Sequence, residues 1–257
     1  MTVLRRVAFA LALPVLLVTA WWLASAGSTD FYRPPLSTIL AAFVDTWNWD
    51  RIRTEVLPSL GRLAVGYALA LLVGIGLGVV IGSYRSVRAF LEPVLEFLRA
   101  IPPPVLVPAF ILLAGLGDRT KVLVIAFGCV WPILLNTVEG VRGRDEVLSD
   151  TCRTYGIDGG RRLWHLVLRS ASPRIMTGAR QALAIAIIVM VISEMMAANN
   201  GLGFTVLQFQ RGFQIPAMWS GVLLLGLIGV LLAWGFRAVE GRVLGWYHGQ
   251  RAGLREW

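Results

Sequence analysis

The stretch PSLGRLAVGYALALLVGIGLGVVI, residues 58–81, carries one charged residue, Arg62, in 24 positions. About 20 consecutive apolar residues match the hydrocarbon core of a bilayer at 1.5 Å of rise per residue, so this stretch predicts a transmembrane helix. Gly74, Gly78 and Gly82 recur at intervals of four, joined by Gly66 and Gly76. A glycine stripe with that spacing lets another helix approach closely. It does not fit the G-x-G-x-x-G dinucleotide fingerprint, and no strand precedes it.

Working outward, similar runs predict further spans at about 90–116, 121–138, 173–197 and 218–239, with a first one from Arg5–Arg6 to about Ala26. That first run imitates a secretion signal, and Ala24-Ser25-Ala26 resembles a cleavage site. At about 20 residues it exceeds the usual signal core, so an uncleaved helix is expected. Between the first two spans, Leu36, Ile39, Leu40, Phe43, Val44 and Trp47 have the spacing of an amphipathic helix. Pro35 stands near its start, and Trp47 and Trp49 suit the headgroup region. The run at 90–116 is interrupted by Pro102, Pro103, Pro104 and Pro108. Proline removes a backbone donor and clashes with the preceding turn. Freed carbonyls at membrane depth must face protein or a wet cavity, so this segment is expected to face the interior.

The whole chain agrees with this reading. It has 257 residues, 56% hydrophobic and 15% charged, against about 25% charged in soluble domains, and its mean hydropathy is +0.69. The net charge of +9 does not imply nucleic acid, because the basic residues cluster in short segments between apolar runs. Six spans place both termini on one side. Segments on that side hold 15 Arg and Lys residues and the outer segments six, which predicts cytoplasmic termini. The longest polar stretch, 139–172, is then a cytoplasmic loop within a single domain of residues 1–257. Cys129 lies in an apolar run and Cys152 in a polar loop, so no disulfide is implied.

No catalytic constellation is legible. His165 and His248 lack metal-ligand partners at helical spacing, and neither H-E-x-x-H nor G-x-S-x-G occurs. The single lysine, Lys121, stands outside any G-K-[ST] motif, so no P-loop is present and no cofactor is expected on this chain. Glu194, near the outer end of the fifth span, is a functional candidate because a carboxylate there is costly unless paired or wet. By span position, Asn136, Met190 and Glu194 are expected to line a solute path. In the long loop, Asp150-Thr151-Cys152-Arg153-Thr154-Tyr155-Gly156 leads to Ile157 and an apolar pattern at Leu163, Trp164, Leu166, Val167 and Leu168. This predicts two short amphipathic helices hinged at Gly156, with an apolar stripe that invites a partner protein.

At this loop the sequence resembles the inner-membrane permeases of ABC importers, whose coupling loop carries E-A-A-x-x-x-G. Asp150 and Gly156 keep the acid and the glycine, while Thr151 and Cys152 replace the alanines. Arg99-Ala100-Ile101-Pro102, Trp131-Pro132-Ile133, Asn136-Thr137, Arg153-Thr154-Tyr155-Gly156, His165-Leu166-Val167-Leu168, Pro173-Arg174-Ile175, Ser193-Glu194 and Asn199-Asn200-Gly201-Leu202-Gly203 look like the nitrate, sulfonate and taurine branch. The resemblance implies an all-α integral membrane fold of the type I importer (MetI-like) kind in a bacterial inner membrane. It implies two copies forming the pore and two ATPase subunits, which use ATP and Mg, docking on Asp150, Thr151, Cys152, Arg153, Tyr155, Gly156 and Ile157. It further implies an external binding protein delivering a small solute, such as a sulfonate, taurine or nitrate. The alternative is a stand-alone ion-coupled secondary transporter, which needs internal repeats and embedded ion ligands.

Overall fold

The computed structural model describes residues 3–247, with side chains described from residue 12 onward. Met1, Thr2 and the tail bearing His248, Arg251 and Arg255 lie outside the described residues, as do the side chains of Arg5 and Arg6. Every described element is helical. In chain order they are α1 (Val3–Ser25), α2 (Leu36–Thr46), α3 (Trp49–Ser83), α4 (Arg85–Ala100), α5 (Pro103–Ala114), α6 (Asp118–Arg142), α7 (Glu146–Thr154), α8 (Gly159–Ala197), α9 (Leu202–Arg211) and α10 (Ile215–Val243). Four of them, α3, α6, α8 and α10, are long and apolar enough to cross a membrane, and the bent pair α4–α5 makes a fifth if its two arms count as one span. At 23 residues α1 has the length of a sixth.

The centre of the bundle is α6, held between α3 and α8. Gly66, Gly74, Gly78 and Gly82 face Ile125, Ile133, Thr137 and Val141, so a ridge of α6 with a four-residue repeat fills the groove left by the missing side chains. Ala70 completes the stripe and is buried. Lipid offers no hydrophobic drive between helices, and such close backbone approach is what joins them. Gly76 lies off the stripe, with nothing near a Cβ built there. On the other side of α6, Gly178 of α8 meets the Pro132 carbonyl and Asn136. A Cβ at Gly78 would lie 2.6 Å from Thr137 Cβ, so Gly78→Leu overpacks the interface by about 1–3 kcal/mol. Its expected outcome is a Tm in detergent lowered by about 2–12 °C, while Gly76→Leu leaves it unchanged; equal effects would remove the stripe from the account.

Three expectations are corrected. The span placed at 90–116 is two arms bent by 87°. In α4 the apolar residues Val87, Leu91 and Leu95 pack on Ile81, Leu134 and Val138, while Arg85, Glu92, Glu96 and Arg99 are exposed. The break falls where Ile101 and Pro102 take extended backbone, the conformation that a following proline favours. Second, Trp47 is 7% exposed and packed with Val56, Leu202, Phe209 and Ile228, its indole donating to Ser220 Oγ at 3.1 Å; only Trp49 is exposed. Third, the helix that carries the fifth span begins well before Pro173. Helix α8 runs unbroken from Gly159 through a π turn at Leu163–Leu168. Proline at 173 cannot donate to the Arg169 carbonyl, and the Ser172 hydroxyl donates to it instead at 2.9 Å. That substitution keeps the helix going.

Candidate functional site

The segment 143–158 projects from one end of the bundle. Asp145 caps α7 by accepting from the Val147 amide at 2.8 Å. The helix ends in a Schellman motif, in which the Gly156 amide donates to Arg153 O at 3.2 Å and the Ile157 amide to Cys152 O at 2.8 Å. Gly156 has φ +64°, a region that costs any residue with a Cβ. The Asp150–Gly156 pattern thus becomes a helix with a fixed, left-handed exit. Arg153 and Asp150 pair at 3.3 Å on the surface.

No residue of α7 is buried. Val147, Leu148 and Tyr155 are exposed, as is Trp164 across the turn. The second half of the apolar stripe behaves differently: Leu166 and Val167 are buried, Val167 against Val141, Ala171 and Ile175. Two helices do flank the Gly156 turn, α7 before it and the start of α8 after it, but the second continues unbroken into the long α8 helix. The turn at Gly156 is the junction between them.

The three residues expected on a solute path are not brought together. Met190 is fully buried in the α3–α6–α8 core. Glu194 is also fully buried, but by partners within the chain. Arg62 donates to Glu194 Oε1 at 2.7 Å, Ser59 Oγ lies 2.7 Å from the same oxygen, and the Gly203 amide donates to Oε2 at 3.0 Å. Arg62 also donates to Asp118 Oδ1 at 2.8 Å and to Asn200 Oδ1 at 2.6 Å. Glu55 accepts from the Gly201 amide and the Thr205 hydroxyl. This knot ties the first turns of α3 to α6, to the end of α8 and to the 199–203 turn. Gly201 is required there, because a Cβ would collide with the Glu194 carboxylate and φ is +120°. Of the two conditions that make a carboxylate tolerable there, paired or wet, Glu194 meets the first, as a clamped ion pair with Arg62.

Asn136 alone reaches an open cavity. Its amide donates to the Pro132 carbonyl at 2.8 Å and to Gln181 Oε1 at 3.3 Å. The cavity, about 490 Å³, is bounded by Glu96, Arg99, Trp131, Asn136 and Gln181 beside the α4–α5 break. The Trp131 indole N–H is buried without a partner among the described residues. Sequence reading missed Arg99 and Gln181; the proline cluster pointed to the place without naming them. Among the described residues, no group of His, Cys, Asp and Glu has the arrangement to hold a metal ion.

Comparisons with known proteins agree with this architecture. The family model described as "Binding-protein-dependent transport system inner membrane component" matches residues 70–245. The taurine transport system permease protein TauC of Escherichia coli (strain K12) is 27% identical over 257 residues, covering 96% of this chain and 92% of that protein. The putative aliphatic sulfonates transport permease protein SsuC of Bacillus subtilis (strain 168) is 29% identical over 188 residues, covering 73% of this chain and 68% of that one. Among solved structures, a chain of the MetNI methionine ABC transporter in inward-facing crystals superposes with a TM-score of 0.64 over 75% of this chain and 95% of that one, at 18% identity. At that identity the likeness speaks for the fold alone.

Proposed function

Because this chain belongs to the family of binding-protein-dependent transport system inner membrane components, we propose that it is the permease subunit of an ABC importer whose ATPase docks on α7 and the Gly156 turn. The observation that carries this reading is the free helix itself. Val147, Leu148 and Tyr155 are exposed on an element whose exit is locked by a left-handed glycine, and Trp164 is exposed across that turn. An apolar face that neither lipid nor the chain's own core covers suits a protein partner. Asp150, Thr151, Cys152, Arg153, Tyr155, Gly156 and Ile157 are the docking residues. Two ATPase subunits, binding ATP and Mg, would serve two copies of this chain, and an external binding protein would deliver the solute. ATP-driven closure of the ATPase pair would then bias the permease between two access states.

The solute class follows from the relatives, which transport taurine and aliphatic sulfonates by name. We infer a small anion of that kind, such as a sulfonate, taurine or nitrate, passing the cavity at the α4–α5 break. The Gln181 amide and the Arg99 guanidinium, which is paired with Glu96 at 2.6 Å, offer donors there. Both termini and α7 face the cytoplasm.

One set of measurements tests the reading. The tagged chain is co-expressed with an ATPase of its operon, recovered from membranes, and reconstituted with the binding protein for uptake of radiolabelled taurine. Co-purification and ATP-dependent uptake are expected, with Gln181→Ala raising the KM of uptake. Of the two cysteines, Cys129 is buried and Cys152 is partly exposed. An impermeant maleimide should therefore label Cys152 in inside-out vesicles and not in right-side-out ones. Uptake by the chain alone on an ion gradient, or labelling from outside, would reject the assignment.

A further inference from the structure

A cavity of about 460 Å³ lies at the α7 end of the bundle, between the π turn of α8 and the end of α10. Trp164, His165, Arg169, Ser172, Val243 and Trp246 line it. The Arg169 guanidinium lies 5.3 Å over the Trp246 ring and forms no ion pair among the described residues. The acid nearby on α10, Glu240, is paired with Arg180 instead. Ser172 spends its hydroxyl proton on the Arg169 carbonyl and can only accept from a ligand. The cavity is thus positively charged and flanked by two tryptophans, as expected at a membrane–water interface.

Below it, Val243, Val239, Gly235, Leu231 and Leu227 recur every four residues down α10, and all are exposed. The sixteen rises from Leu227 to Val243 make a strip about 24 Å long, apolar throughout and leading away from the charged mouth. Only 6% of the apolar window of α10 is buried within the chain, which leaves this strip open to lipid.

From the junction of a cation without an ion pair among the described residues and an apolar strip of acyl-chain length, we propose that this cavity binds the headgroup of an anionic phospholipid in the leaflet at the α7 end. The phosphate lies against Arg169 and the chains follow α10. The Arg169–Trp246 stack holds the guanidinium in place and leaves its N–H edge for phosphate oxygens. The bound lipid then bridges α8 to α10 next to the α7 turn. This inference needs only the membrane-spanning fold and does not depend on the ATPase assignment.

The test uses the purified chain in detergent, with lipid retention read by native mass spectrometry and Tm read alongside. Dioleoyl phosphatidylglycerol should be retained and raise Tm, whereas dioleoyl phosphatidylcholine should not. R169Q should weaken phosphatidylglycerol about fivefold, the worth of one basic residue at an anionic surface. R242Q, one basic residue of the same α10 end, should leave it unchanged. Equal retention of the two lipids by the wild-type chain overturns the proposal, and this comparison needs no variant to fold. So does an R169Q affinity equal to wild type. Competition by glycerol phosphate as strong as by phosphatidylglycerol would show a site for free phosphate compounds. Displacement of bound phosphatidylglycerol by added ATPase would assign the surface to that protein.

Discussion

Arg62→Ala is expected to lower the stability of the permease by about 3–5 kcal/mol, because it strands the Glu194 carboxylate in the interior with only neutral donors. Glu194 is 0% exposed and Arg62 4%. Without the guanidinium, the Ser59 hydroxyl and the Gly203 amide remain at 2.7 and 3.0 Å, too little to solvate a full charge. For a chain of this size that loss corresponds to a fall in Tm of about 6–20 °C. Asp118→Asn is expected to cost far less, since Asp118 is the solvent-exposed partner of the same arginine. Combining Arg62→Met with Glu194→Gln removes both charges while keeping an acceptor for Ser59 and Gly203, so it should recover much of the loss. Thermal unfolding in detergent checks all three. If Arg62→Ala kept its Tm and lost only uptake, the pair would belong to the transport path and the clamp reading would fail.

The clamp also shows where sequence reading stopped. Glu194 stood out as costly, but its partner is 132 residues away in the chain, and no local pattern links Arg62 to it. The same limit hid the burial of Trp47, whose partners Phe209 and Ser220 arrive from the far end of the sequence. Features that rest on period and backbone stereochemistry were legible. The glycine stripe of α3, the amphipathic α2, the helix break at Pro102–Pro104 and the turn at Gly156 each follow from residues within a few positions of one another. The extent of α8 was misread because Pro173 suggests a helix start. The helix nevertheless passes through Pro173, with the Ser172 hydroxyl donating to the Arg169 carbonyl in place of the missing amide. Around the candidate site, the helix and the left-handed turn over Asp150–Gly156 were legible from that pattern. The cavity residues Arg99 and Gln181 needed the fold, because α4 and α8 meet there only in space.

Gly156→Val is expected to reduce uptake about 5–30-fold while leaving the membrane bundle intact. The residue sits at φ +64° with nothing within 4 Å of a built Cβ, so the substitution meets no steric neighbour. Its whole effect is backbone strain, about 1–2 kcal/mol or more for a β-branched residue, which depopulates the native turn by the stated factor. The strain falls on α7, none of whose residues is buried, so Tm should move by little. If α7 transmits ATPase closure to α8, a misdirected exit at Gly156 breaks transmission without removing either partner. ATPase subunits should still co-purify and hydrolyse ATP, and only solute uptake should fall. Gly156→Asn, which tolerates the left-handed region better, should retain most of the uptake. Gly160→Ala is the matched control, since Gly160 has an open Cβ direction without a positive φ and should behave as wild type. Normal uptake by Gly156→Val would mean that the turn is not the lever, and a loss shared equally by ATP hydrolysis would mean that it positions the ATPase without coupling it. Uncoupling with hydrolysis preserved is the result that only a transmitting joint produces.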